Sequence, residues 1–390
     1  MTKTFYPSTF CLINGIKTKE VFTISKDVTK NVSYNKGGTT TEEALLFKDK
    51  LHGKSSKFYD DGKIKETCCF QMGKLQGEHL TYYPNGVLQE SKNYIDGKLN
   101  GKCITFFEDG KVSKEINYYL GKQHGSECSF YPNGTIKRKQ YFNKDRLHGV
   151  VTEYYETGEL QIKRYYSYGK KVGLYRQFYR SGKIEIRLRF NKKGDKTGFA
   201  NIYFESGQLK ETNFYRKNKR EGERIQYFEN GNKKRTCFYR RGARNGKLFK
   251  YNESSQVTFY CFYDKGVKQG SYFSASYEGE SCRKIEGYYR NNLREGYFIE
   301  KLDLQIQKIL RYQSGYLQGV QHFQESEPKK IAFYHLGILR VENTDSVDEC
   351  CICYKDTEFK TKCNHSICLQ CIPNVVSMCP MCRQPFYTNI

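Results

Sequence analysis

The residues best suited to chemistry crowd the last forty positions. Eight of the 16 cysteines fall between Cys350 and Cys382, while the other eight are spread over the rest of the chain. Taken as Cys350, Cys353, Cys363, His365, Cys368, Cys371, Cys379 and Cys382, they read C-x2-C, C-x-H, C-x2-C and C-x2-C. Zinc in structural sites is held tetrahedrally by four thiolate or imidazole donors, and a two-residue gap lets both thiolates of a knuckle reach one ion. Eight donors therefore suit two zinc ions and fill every position around them. No open position is left for an activated water, which argues against metal-assisted hydrolysis. Cys351 would shorten its knuckle to one residue and is read as a non-ligand. A segment of about 40 residues is too small to fold on a hydrophobic core alone, and metal binding would supply the missing stability, of order 10 kcal/mol per site.

Three Cys, a His in fourth place, four more Cys and Pro380 inside the last knuckle resemble the RING finger. The resemblance implies a cross-brace: Cys350, Cys353, Cys368 and Cys371 on one zinc, Cys363, His365, Cys379 and Cys382 on the other. It also implies a shallow apolar groove for a ubiquitin-conjugating enzyme, at Ile352, Val375 and Pro380. Family members often carry a larger residue where Val375 stands, so a weak or selective groove is expected, and mini-core packing is an equal reading of that valine. Arg383, directly after the last ligand, matches the family's linchpin arginine, whose planar five-donor guanidinium suits bridging ubiquitin and the conjugating enzyme. Catalysis would then be positional, holding a flexible thioester in near-attack geometry for a substrate lysine.

Something must position such a tail, and the body of the chain is a repeat. Glycines recur every 24 residues at Gly53, Gly77, Gly101, Gly125, Gly149 and Gly173, and continue at Gly198, Gly222, Gly246 and Gly270 before drifting to Gly296 and Gly319. A second glycine follows nine residues later, as at Gly62, Gly86 and Gly110, and an aromatic pair stands between the two, as at Tyr82-Tyr83 and Phe106-Phe107. Three features held in phase over so many copies mark a true repeat. In one unit, Leu80 and Tyr82 alternate with polar neighbours as on a half-buried strand. Pro84-Asn85-Gly86 supplies a tight turn, the stretch from Val87 to Tyr94 a returning strand, and Asp96-Gly97 a second turn. Each unit is thus expected to be a β-hairpin, marginal alone but stable when stacked. Twelve units at about 10 Å each would make a rod of roughly 100 Å.

The pattern resembles the MORN family, in the variant whose units read YYxNGxLxxxxxYxxGKxxG. The match runs over residues 51–320, is best from Gly53 to Gly246, and decays afterwards, where Ser255 replaces a turn glycine. MORN arrays are interaction scaffolds, so the resemblance implies binding to protein or lipid. The aromatic pairs are read chiefly as sheet packing.

Charge separates the two modules. The tail from Asp345 has four Lys/Arg against five Asp/Glu, leaving 62 basic and 37 acidic residues in 1–344, a net +25. Basic runs such as Lys137-Arg138-Lys139, Lys163-Arg164, Lys192-Lys193 and Lys233-Lys234-Arg235 fit a solvated sheet face, or a grip on anionic lipid or nucleic acid. No recognised nucleic-acid motif is present. No stretch approaches the ~20 apolar residues of a membrane helix, and the start is not a secretory signal. The expected architecture is mainly β: an N-terminal segment 1–50 capping the sheet's open edge, an elongated sheet of stacked hairpins of period 24 over 51–325, a linker 326–346, and a small α+β two-zinc RING domain over 347–390. The expected function is that of a RING-type E3 ubiquitin ligase with two Zn2+ ions. Its partners would be a ubiquitin-conjugating enzyme with ubiquitin, a protein substrate, and a RING dimer partner. The alternatives are a non-catalytic zinc-binding adaptor and a binder of anionic lipid or nucleic acid. This domain pairing and the Lys- and Tyr-rich composition resemble proteins of giant DNA viruses, which would place the chain in a host cytoplasm.

Overall fold

The computed structural model describes residues 6–13, 16–323, 330–335, 338–349 and 356–361, with side chains described through residue 318. Every regular element among them is a β-strand. The chain divides into two compact units, Met1–Thr197 and Gly198–Ile390. Inside each, strands pair antiparallel with their neighbours in sequence, as in Lys50–Phe58 with Ile64–Gln71 and Ala243–Tyr251 with Val257–Asp264. No helix among the described residues is long and apolar enough to cross a membrane.

One hairpin shows how the repeat is built. Strands Lys74–Tyr82 and Leu88–Ile95 are joined by a turn closed by Tyr83 N–H to the Val87 carbonyl at 2.8 Å and Gly86 N–H to the Tyr83 carbonyl at 2.8 Å. Asn85 Oδ1 accepts from Val87 N–H at 2.9 Å, the local side-chain bond that suits Asn to this position. At the other end Asp96 and Gly97 both have positive φ, 52° and 77°, the two-residue type I′ geometry whose twist matches that of the strands. Both expected turns are present. In the 251–279 unit Ser255 takes the glycine's place at φ 64°, its N–H bonded to the Asn252 carbonyl at 3.0 Å.

The 24-residue glycine itself is not a turn residue. Gly77 lies inside its strand at φ 83°, where the register jumps from Cys68 opposite His79 to Phe70 opposite Leu75. Gln76, Gly77 and Glu78 therefore face Cys69 alone. The glycine marks a bulge, which bends the strand and increases its twist, and the same register jump recurs at Gly53, Gly125, Gly173, Gly246, Gly270 and Gly296.

Neighbouring hairpins are tied at both ends. The second tyrosine of an aromatic pair donates its hydroxyl to the carbonyl of the first aromatic of the next pair. Tyr59 bonds Tyr82 O at 2.6 Å, Tyr83 bonds Phe106 O at 2.9 Å, Tyr131 bonds Tyr154 O at 2.9 Å and Tyr155 bonds Phe178 O at 2.8 Å. At the opposite end the turn glycines bond back one repeat, Gly97 N–H to Leu75 O at 2.9 Å and Gly121 N–H to Leu99 O at 2.7 Å. Each such bond contributes about 1 kcal/mol net.

A central row of side chains runs across the strands of each unit, and its chemistry differs between them. In the first unit it passes through cross-strand neighbours Ser55, Cys68, His79 and Lys92, a mostly polar series. In the second it reads Cys237, Leu248, Cys261 and Tyr272, and with Tyr239 and Tyr263 it forms a fully apolar cluster. Leu248 and Cys261 are entirely covered. Upstream of residue 51, strands Val28–Tyr34 and Thr40–Phe47 form one more hairpin of the same kind, and Thr40–Phe47 pairs with Lys50–Phe58. The hairpin pattern thus begins before the recognisable repeats.

Candidate functional site

The expected zinc ligands Cys350, Cys353, Cys363, His365, Cys368, Cys371, Cys379 and Cys382 lie outside the described residues, as do Ile352, Val375, Pro380 and Arg383. Within that span only the backbone of strand Asp356–Thr361 is described, paired with Ile338–Glu349. The donor set itself, seven thiols and one imidazole in knuckle spacing, fits two tetrahedral zinc ions.

The cysteines of the repeats do different work. Cys68, Cys103, Cys237 and Cys261 are buried as free thiols in the central rows. Burial, with Glu66 beside it, pushes the Cys68 thiol up to about 11, so it stays protonated and unreactive at neutral pH. Burial likewise raises Cys237 and Cys261. They act as small apolar core residues. Among the described residues no cluster of His, Cys, Asp and Glu is placed to hold a metal ion.

The basic runs do not form the patches their adjacency suggests, because neighbouring residues on a strand face opposite ways. In Lys137-Arg138-Lys139, Lys137 stacks over the Tyr131 ring at 5.4 Å, while Arg138 pairs with Glu153 at 3.5 Å. Lys163-Arg164 is split too: Arg164 binds Glu153 at 2.5 Å, opposite Val151 in the central row. The groove of about 790 Å³ between these hairpins is lined by Lys114, Lys137 and Arg138 together with Glu127 and Glu153, so most of its positive charge is offset. Lys114 pairs with Glu127 at 3.2 Å within it.

Cations one repeat apart take equivalent positions, each over an aromatic ring. In the second unit Arg220, Arg244, Lys268 and Arg294 each lie two residues before a bulge glycine. They stack over Tyr239, Tyr263, Tyr289 and Tyr312 at 5.5, 5.3, 5.0 and 5.1 Å. At the other end of the hairpins Lys210 and Lys234 cover Phe204 and Phe228 at 5.2 and 5.1 Å, and in the first unit Lys65 covers Tyr59 at 5.5 Å. Among the described residues none of these seven cations is in an ion pair. Each stack contributes about 0.5–1 kcal/mol at an exposed site. The aromatic rings thus carry the positive charge of the sheet as well as its packing, a role the sequence reading did not assign them.

One carboxylate is tuned strongly. Burial drives the Glu211 carboxyl up, but bonds from Arg224 at 2.8 Å, Asn213 at 2.6 Å and Gln226 at 2.8 Å outweigh it and bring the group to about 2. It is a fully satisfied anion that knits strands together, with no free lone pair directed at a ligand.

With this geometry in view, the family described as "MORN repeat variant" matches residues 51–72, 75–96, 99–118, 123–144, 147–168, 171–192 and 220–241. Residues 51–241 thus carry MORN-type repeats. Among curated proteins none matches the chain. Among solved structures, a TcdB2-TccC3-Cdc42 complex and TcdB2-TccC3 without its hypervariable C-terminal region each show 9% identity and a TM-score of 0.13. They align with 89% and 91% of this chain, which spans only 28% of either structure's length. A porin-like protein from Bacteroides uniformis shows 10% identity and a TM-score of 0.14, over 74% of this chain and 92% of its own. Scores this low define no common fold, and nothing about function follows from them.

Proposed function

We propose that the chain is a RING-type ubiquitin ligase whose MORN-type repeats hold the substrate near a C-terminal catalytic module. The observation that carries this reading is the order of eight donors from Cys350 to Cys382 with Arg383 directly after the last. The contrast with the other cysteines supports it. In the repeats four thiols, Cys68, Cys103, Cys237 and Cys261, are buried as packing, whereas the tail sets its thiols in knuckle pairs.

Bound zinc would supply rigidity to the tail and no chemistry of its own, because every coordination position is filled by protein. Ile352, Val375 and Pro380 would seat the conjugating enzyme. Arg383 would donate from its planar fork to both ubiquitin and that enzyme, restricting the thioester to geometries a lysine amine can attack. The amine attacks the thioester carbonyl, an isopeptide bond forms, and the conjugating enzyme's thiol leaves. This module needs no general base of its own.

The test is single-turnover discharge of ubiquitin from a panel of loaded conjugating enzymes onto free lysine, with the full chain. Stimulation that is lost in Arg383→Ala and Cys368→Ala supports a ligase working through its linchpin. Absence of stimulation across the panel, in protein carrying two zinc ions, would replace the ligase with a docking adaptor.

A further inference from the structure

The second unit carries a row of aromatic rings on the face opposite its apolar cluster. Phe199, Phe214, Phe238, Phe262, Tyr288 and Tyr297 share that face by strand alternation. Phe238 stands exposed between buried Cys237 and Tyr239, and Phe262 between buried Cys261 and Tyr263. Tyr288 and Tyr297 each precede a buried ring, Tyr289 and Phe298. Five of the six are large exposed hydrophobics, from 37% for Phe262 to 67% for Phe199, and the sixth, Phe214, meets Phe199 edge-on at 5.2 Å. A folded sheet gains nothing from leaving these rings in water. In the first unit the equivalent cross-strand pairs are Lys54 with Cys69, Glu78 with Asn93 and Lys102 with Asn117 before rings enter at Tyr141 and Tyr165, so the repeat does not require rings there.

The ring row is flanked by more cations than acids, the acids opposite its rings being Glu223, across from Phe238, and Glu295, across from Tyr288. Lys247 lies opposite Phe262 and Arg311 opposite Tyr297, the Arg311 guanidinium 5.9 Å from that ring. Arg216, Arg240 and Arg290 follow Phe214, Phe238 and Tyr288 by two residues, on the same face and exposed. Among the described residues Arg216, Arg240, Lys247 and Arg290 are in no ion pair. Three of the nearby acids are held by hydrogen bonds: Glu221 accepts from Arg241 N–H at 2.8 Å, Asp264 from Asn245 at 3.0 Å and Glu295 from Ser314 N–H at 2.9 Å. Residues 198–318 hold 23 Lys/Arg against 13 Asp/Glu.

We propose that this face of the second unit binds single-stranded nucleic acid, with bases stacked on the exposed rings and phosphates held by the flanking cations. Aromatic platforms beside a positive track are the recurring means of holding unpaired strands without sequence preference, since every base has a π-face. The row is one side chain wide and crosses nine strand positions, about 40 Å at roughly 4.8 Å per strand. That shape fits a linear polyanion. A lipid surface would favour apolar side chains on protruding turns, and a protein partner would favour a broader apolar patch. Duplex nucleic acid hides its base faces and could use only the cations. The proposal stands independently of the ligase reading.

The test uses the full chain and a fluorescein-labelled 20-nucleotide oligo-dT or oligo-U, followed by anisotropy at several salt concentrations. A matched duplex and vesicles of phosphatidylcholine with phosphatidylserine serve as the other arms. Binding to the single strand is expected to exceed binding to duplex. Phe238→Ala and Phe262→Ala are expected to weaken it about tenfold each. The rings are exposed, so the variants should keep the wild-type circular dichroism and melting curve. Lys247→Gln with Arg240→Gln should flatten the dependence of log K on log salt by about 0.7 per lost phosphate contact. Equal affinity for duplex, ring variants that bind as wild type, or binding to anionic vesicles alone would each overturn the proposal.

Discussion

The Tyr83 hydroxyl lies 2.9 Å from the Phe106 carbonyl oxygen, so an aromatic side chain of one repeat closes a backbone group of the next. The same bond recurs from Tyr59, Tyr131 and Tyr155, and it is lost by side-chain chemistry where the repeat carries Phe107, Phe204 or Phe228. Substituting Tyr83→Phe keeps the ring and removes only the bond. It is expected to cost about 1 kcal/mol, read as a lower urea midpoint at unchanged m-value. The same change at Tyr155 should cost a similar amount, and the two should add, since they lie three repeats apart.

A tighter constraint stands at Gly287, which has ordinary backbone geometry and a ring where a side chain would go. A Cβ there would sit 2.5 Å from Phe298 Cδ1, and Phe298 is 2% exposed in the row that follows Tyr272. Gly287→Ala is expected to destabilise by about 1–3 kcal/mol through overpacking. Adding Phe298→Leu should recover part of that loss, giving a coupling term in a double-mutant cycle. Costs that simply add would show the two positions to be uncoupled.

Glu211 sets a pH dependence whose sign follows from its environment. Its carboxyl is depressed from the ordinary 4.5 to about 2, so its contribution is fully present above about pH 4.5 and is lost as pH falls toward 2. Glu211→Gln should therefore destabilise at pH 7 by roughly 1.5–3 kcal/mol, the range for hydrogen bonds to a charged group. The difference from wild type should shrink between pH 4.5 and 2. A difference that is flat over that interval would mean that the carboxylate charge does not stabilise the fold.

Metal removal should separate the two modules. The described strands contain no metal cluster, and their cohesion comes from ladders, rings and a buried row. Chelation of the full chain is expected to release two zinc ions and abolish ubiquitin discharge, while the far-UV spectrum and melting of the repeats persist. Loss of the β signal along with the zinc would tie the repeats to the metal.

Much of this was legible in residue spacing because hairpin geometry is local. A type I′ turn needs two left-handed residues, so Asp96-Gly97 announces it. The period was legible, but the job of its marker was not. Spacing alone gives Gly77 and its counterparts no role, and only the cross-strand register shows Gly77 to be a bulge. How the basic runs are distributed was not legible for a related reason, since adjacent residues on a strand face opposite ways.

The amino-acid order by itself determined that hairpins would form, where they would turn, and that thiols would be paired at one end of the chain and scattered elsewhere. Only the tertiary structure decided which residues, 11 to 15 positions apart, meet across strands. That pairing makes Cys237, Leu248 and Cys261 one buried row and leaves Phe238 and Phe262 together on the open face. The physical reason is register. A strand's side chains alternate with a period of two, and the recurring bulges reset the count, so the face a residue occupies is fixed by its pairing partner and not by its place in the chain.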